Sequence, residues 1–300
     1  MPKKGSLHVS QLLSNVSVQY KSAEFIWDKI WGQIPVTKDT DLYRVYDRNF
    51  KIPETRRAPK GVARMYSFEF STSSYTLEQH ALKDYVGVDE AENEDLGDLE
   101  QDTTENLTDT IYRRVELMTA SLFTKTSWSL SVSLAAGAAW TTNTTTSDPV
   151  PTVDTGASTI IANSGKTPNF MILPRAGYVG VKNHVSVLDR VKFTSADVTH
   201  GQVATLFGFT EMHVPTAVYD SAAIGIAFSS TPFWTNAFLG WKPTSPGKKQ
   251  PSCGYHFIHS KPRVRKWFSD ERNATAVEVE VKIIPKVVAS LTGYLIGGIS

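Results

Sequence analysis

The chain lacks most of the features that mark an exported, metal-bound or catalytic protein. Its 300 residues include one cysteine, Cys253. An intrachain disulfide and a cysteine-based zinc site are therefore excluded, and a free thiol suits a reducing cytoplasm. Lys3 and Lys4 open the sequence, but no apolar run of the kind a signal peptide needs follows them, and no export is implied. The Asn-x-Ser/Thr sites at Asn15, Asn106, Asn143 and Asn273 are then chance matches. The longest weakly polar stretches, Leu130–Trp140 and Val287–Ile299, are too short or too rich in Ser, Thr and Gly to span a bilayer. Net charge is +1, without the basic excess that a dominant nucleic-acid-binding role requires.

Catalytic motifs are missing too. There is no Gly-x-Ser-x-Gly, His-Glu-x-x-His or Gly-x-Gly-x-x-Gly. Gly165-Lys166-Thr167 looks like the end of a phosphate-binding loop, but Ile160 stands where that loop needs its first glycine. A helix stop accounts for it. His256 and His259, three apart in a strand, point to opposite faces and cannot ligate one metal together. No metal site, cofactor or enzymatic role is expected.

What is present is an ordinary globular composition, 41% apolar and 20% charged, in a chain long enough for one large or two closely connected domains. Residues 36–85 read as a strand-rich ribbon. Tyr43, Tyr46 and Phe50 alternate with polar residues on the way up, and Phe68, Phe70 and Tyr75 on the way down. Its tip, Lys51–Arg64, is basic through Arg56, Arg57, Lys60 and Arg64. A lone two-stranded ribbon is marginal in water, so this one is expected to lie on another body, and the tip is expected to contact another subunit. Nucleic acid is the weaker reading of the tip, because no aromatics are interleaved with its cations.

Phe25, Ile26, Ile30 and Trp31 predict a short amphipathic helix stopped by Pro35. An acidic run from Asp84 to Asp109 follows the ribbon. Within it, Asp98 and Gln101 have capping-box spacing. Leu107, Ile111, Val115, Met118 and Leu122 then form one apolar stripe on a helix of roughly 25 residues, with Asp109, Arg113 and Glu116 left to solvent or a neighbour. Further helices are predicted at Val150–Asn163, ended by Gly165, and at His200–Phe207. Strands are predicted at Phe170–Leu173, Glu211–Tyr219 and Ile224–Phe228. Near the C-terminus, Glu278 and Glu280 alternate with valines. A hairpin turning at SDERNATA would pair Arg265 with Glu278 and Arg263 with Glu280, its apolar side on the long helix.

This order of elements, with GKTPNFMILP, NHVSVLDRVKF and RVRKWFSDERNATAVEVEVKIIPKVV at 165–174, 183–193 and 263–288, resembles the major capsid proteins of tailed bacteriophages. The likeness is closest over Asp148–Phe193. It implies an α+β fold of the Hong Kong 97 type: an N-terminal arm (1–38), an extended loop (39–83), a peripheral domain with a long spine helix (84–173 and 256–288) and an axial domain (174–255 and 289–300). It implies self-assembly into pentamers and hexamers of an icosahedral virion shell, built in the bacterial cytoplasm around double-stranded DNA held by weak non-specific contact. A portal, a decoration protein and a separate scaffolding protein are the implied partners; no membrane is. Some relatives cross-link a lysine of the extended loop to a peripheral asparagine. Lys60 and Asn273 match that pair in type, but no catalytic carboxylate can be assigned and no cross-link is expected. A bacterial nanocompartment shell shares the fold. A hydrolase or sugar-binding protein using Trp234 and Trp241 as stacking aromatics is the rival from another class.

Overall fold

The computed structural model describes residues 8–9, 25–45, 52, 54–57, 59–65, 71–92, 98–191, 199–223, 225–247 and 251–300. Two five-stranded sheets organise them. The first is built on the hairpin Gly254–Ser269 and Ala274–Val287. Glu78–Gly87 lies antiparallel on one side of it; Gly32–Pro35 and His8–Val9 lie on the other. The second runs Ser131–Ser133, Gly293–Gly297, Ala237–Gly240, Phe170–Ile172, Glu211–His213.

The long helix, Leu99–Ser121, packs across the hairpin. Its 23 residues span about 35 Å at 1.5 Å per residue. Asp98 caps it, accepting hydrogen bonds from the amides of Glu100 and Gln101. The reciprocal half of a capping box is not made, since the Gln101 side chain bonds Glu105 instead. Ile111 and Val115 of the predicted stripe are buried against Val277, Val279, Val281 and Ile283 of the hairpin. The buried face also carries Thr104, Thr108 and Thr119, each of which returns its hydroxyl to the carbonyl four residues back and so brings no unpaired donor into the core.

A second core lies around Met171, Leu173, Leu239 and Ile296 of the second sheet, under the helices Pro149–Ser164 and Arg175–Asn183. Gly165 ends the first of these at φ 64°, the left-handed conformation that suits glycine.

Four expectations need correction. Glu116 is fully buried, not left to solvent. The stretch Glu211–Tyr219 is two strands, Glu211–His213 in the second sheet and Val218–Asp220 in a small ribbon with Ser230–Pro232; Pro215, which has no N–H to donate, stands between them. Residues 225–228 are a turn rather than a strand, with Gly225 at φ 87° and Phe228 exposed, while Ile224 lies outside the described residues. The arm helix is only Trp27–Ile30, and it ends because Trp31 turns extended to begin the edge strand, upstream of Pro35.

Candidate assembly surface

The ribbon pairs Thr40–Val45 with Ser71–Thr76 in antiparallel register, Tyr43 opposite Ser73 and Asp41 opposite Tyr75. One face meets the chain's own body. Tyr75 stacks on Phe257 at 4.6 Å and Tyr43 tilts over the same ring at 5.4 Å. Lys282 bonds Asp39 at 3.0 Å just outside the ribbon. The base therefore rests on the first sheet of the same molecule, and Glu78–Gly87 continues directly into that sheet. On the opposite face Leu42 is 66% exposed. Tyr46, Phe50, Phe68 and Phe70 lie outside the described residues.

At the tip the predicted cations Arg56, Arg57, Lys60 and Arg64 are all exposed. Lys60 sits in a turn at φ 64°. Among them stand Ile52, Val62 and Met65, which are 95%, 93% and 94% exposed. The tip therefore carries three fully exposed apolar side chains among its four cations.

The hairpin places Arg263 opposite Glu280 and Arg265 opposite Glu278. The ion pairs do not follow the rungs. Among the described residues Arg265 reaches both carboxylates, 3.3 Å from Glu278 and 2.8 Å from Glu280. The contact to Glu280 has ion-pair distance without hydrogen-bond alignment, so Glu280 Oε2 counts among the buried atoms lacking a hydrogen bond. Next along the strand, Lys266 pairs with Glu100 in the first turn of the long helix, fixing helix to hairpin. Asn273 turns the hairpin at φ 47°.

The buried polar groups Glu116, His256 and Cys253 are engaged within the core. Glu116 accepts hydrogen bonds from the amides of Ile26 (3.2 Å) and Trp27 (2.8 Å) and from the Trp234 indole (2.5 Å). Burial raises its pKa, and those three hydrogen bonds oppose the rise. His256 contacts Trp27 and Trp31 and shares a hydrogen bond with Thr119 at 3.0 Å; burial pulls its pKa down to about 3. His259 is exposed. Cys253 is fully buried, and burial pushes its thiol up to about 12, away from the thiolate a nucleophile needs.

Ser147, His184, Ser186 and Asp148 form a chain of contacts at 3.2, 2.6 and 2.8 Å that superficially resembles a serine-hydrolase triad. Ser147 is 1% exposed and its hydroxyl already donates to the Thr144 carbonyl, while Asp148 caps the helix Pro149–Ser164. The network locks the turn at 144–148 to the helix Val185–Val191 and offers no accessible nucleophile. Of the two tryptophans considered as stacking platforms, Trp234 is 4% exposed and Trp241 lies beneath Lys166 at 4.9 Å. Among the described residues there is no group of three potential metal ligands, and no helix is long and apolar enough to cross a membrane.

No family model matches the chain. It is 24% identical over 303 residues to the major capsid protein of Burkholderia phage BcepMu, with 97% of each covered. Its fold is similar to that of a phage-related protein from Bordetella bronchiseptica RB50, with a TM-score of 0.79 at 22% identity over 98% of each chain. The capsid of cyanophage P-SCSP1u superposes with a TM-score of 0.62 at 12% identity, over 93% of this chain and 90% of that one. The chain carries the fold of phage capsid subunits, the architecture that its sequence resembles.

Proposed function

We propose that this protein is a major capsid protein, whose copies form pentamers and hexamers and close an icosahedral shell around a phage genome. The observation that carries the reading is the ribbon: its base is satisfied within the subunit, whereas its tip holds Ile52, Val62 and Met65 in water beside four exposed cations. Such a tip is stable where a sister subunit covers it. The relative described as a major capsid protein matches along 97% of the chain, ribbon included, which supports the same role here. A shell subunit needs no active site, in keeping with the buried, fully engaged Ser147–His184 network and Trp234.

In this reading residues 1–38 are the arm, 39–83 the extended loop over a neighbour, 84–173 with 256–288 the peripheral domain, and 174–255 with 289–300 the axial domain. A separate scaffolding protein, a portal and a decoration protein are the further partners. DNA is held weakly and without sequence preference, as a net charge of +1 suits. Assembly takes place in the host cytoplasm and the product is the virion capsid.

Negative-stain microscopy of the expressed chain, alone and with its scaffold, should show closed shells, capsomers or tubes. Deleting Pro53–Gly61 should leave a folded subunit that builds none of them. A monodisperse monomer under every condition overturns the reading, as does normal assembly of the deletion variant. Nuclease-protected DNA inside particles recovered from infected cells separates a phage shell from a protein-filled compartment of the same fold.

A further inference from the structure

The helix Trp27–Ile30 has four residues, too few to sustain itself, because one turn fixes several dihedrals for a single hydrogen bond. Its backbone is held from outside at both ends, by two side chains that come from different layers. At the N-terminal end Glu116 of the long helix receives the Ile26 and Trp27 amides. At the C-terminal end the Lys242 ammonium lies 2.5 Å from the carbonyl of Lys29 and 2.7 Å from the Glu211 carboxylate. The cation at the last turn complements the helix dipole.

Lys242 is aimed rather than dangling. It follows strand Ala237–Gly240, and its main chain is bonded twice by the Asn169 side chain, N to Oδ1 at 3.0 Å and O to Nδ2 at 2.7 Å. The ammonium lies over Phe170 at 5.4 Å from the ring centre. Glu211, its carboxylate partner, belongs to the edge strand of the second sheet. Partial burial works against ionisation of Glu211, and the hydrogen bond and charge of Lys242, together with those of His213 at 3.3 Å, outweigh it and hold the carboxyl below its usual range. At Gly32 the arm comes so close to the same segment that a Cβ would fall 2.5 Å from Pro246 Cβ.

The two clamps differ in exposure. Glu116 is fully buried, whereas the Lys242 side chain is 18% exposed, in a cleft of about 470 Å³ between arm and second sheet. Water reaches the second clamp, so it opens first.

We propose that the arm helix is a pin setting the angle between the two halves of the subunit, with Lys242 as its catch. Closed, the catch ties the arm to the second sheet while Glu116 ties it to the first. Open, it leaves the two sheets joined through the core they share, Phe170 and Phe238 of the second with Val277 and Val279 of the first, and lets the angle between them relax about the buried end. In a shell that angle is local curvature, and this consequence rests on the capsid reading; the catch itself does not.

Hydrogen exchange on the full-length protein tests it. In K242M the amides of residues 30–34 and 36 should exchange about tenfold faster than in the wild type while hairpin amides 276–283 stay unchanged, and K242R, which keeps a cation with several donors at the position, should restore protection. Should K242M not fold, E211Q removes one leg of the catch and should give a smaller increase in the same amides. Shells of K242M should have mixed diameters where the wild type has one. Unchanged exchange in K242M or E211Q overturns the catch. Faster exchange with a single unchanged diameter overturns its link to curvature. If the wild type forms no shells, the capsid reading fails, and the exchange data still decide the catch.

Discussion

The rings of Tyr75 and Phe257 lie 4.6 Å apart with planes 10° from parallel, and through this stack the ribbon is seated on the first sheet of its own molecule. Both side chains are 2% exposed, and the Tyr75 hydroxyl donates to the Lys38 carbonyl at 3.3 Å. Phe257→Ala should cost about 3 to 5 kcal/mol of subunit stability, as for other buried aromatics. With Tyr75→Ala in a double-mutant cycle, the coupling should be about 0.5 to 1.5 kcal/mol in urea unfolding. The same coupling should appear in the variant lacking Pro53–Gly61, because the contact lies within one chain. A coupling near zero would detach the ribbon base from the body.

Glu116 is where a carboxyl group in the core holds three segments together. Three N–H groups converge on its two oxygens. Glu116→Gln leaves one acceptor oxygen and turns an NH2 toward those donors, so about 1 to 3 kcal/mol should be lost at neutral pH, with a larger loss for Glu116→Ala. Because burial raises the carboxyl's pKa, its own contribution is present at low pH and is lost as pH rises through the folded value. Tryptophan emission reports the change: in the Ala variant it should move to the blue as the Trp234 indole loses its acceptor. An unmoved spectrum and an unchanged midpoint would show that the arm helix is held without this carboxylate.

The same residue shows how far the sequence could be read. The hairpin register followed from Arg and Glu alternating with valine, and the helix stop at Gly165 from its freedom at positive φ; both are local signals. Glu116 lies on the polar side of a helical stripe by periodicity, and its burial is decided by amides 89 and 90 residues away. The aromatic pattern revealed the ribbon, but not that its base would find Phe257 rather than a neighbour. Ile226 and Phe228 looked like a strand because they are apolar; Asp220, accepting from the amides of Ala222 and Ser229, pins them in a loop tip instead. Of the candidate site, the tip cations were legible as composition, whereas the two-way bridge by Arg265 depends on side-chain reach that no spacing encodes.

His256 makes the subunit sensitive to acid. Its pKa is about 3 when folded and near 6.5 when unfolded, so the unfolded chain takes up the proton first. The stability it contributes is complete above pH 6.5 and is lost toward pH 3, at up to about 1.4 kcal/mol per pH unit. Burial lowers His80 and His213 too, with the same sign, and Glu116 works the other way. His256→Phe keeps a flat ring between the tryptophans, and Thr119 retains its bond to the Val115 carbonyl. Its stability should fall less steeply between pH 6.5 and 4 than that of the wild type. Parallel pH profiles would assign the acid sensitivity to other groups.

At the ribbon tip, charge and apolar surface should separate kinetically. Changing Arg56, Arg57, Lys60 and Arg64 to glutamine should move subunit stability by no more than about 0.5 kcal/mol, since all four are exposed. If those cations meet carboxylates on the next subunit, wild-type assembly followed by light scattering should slow as salt rises from about 0.05 to 0.3 M, where the screening length drops well below 10 Å. The glutamine variant should assemble slowly at every salt concentration. Replacing Ile52, Val62 and Met65 with serine should instead abolish assembly, because the loss is of buried apolar contact, which screening does not touch. Salt-independent assembly of the wild type would remove the electrostatic part of this account and leave the apolar side chains as the whole of the contact.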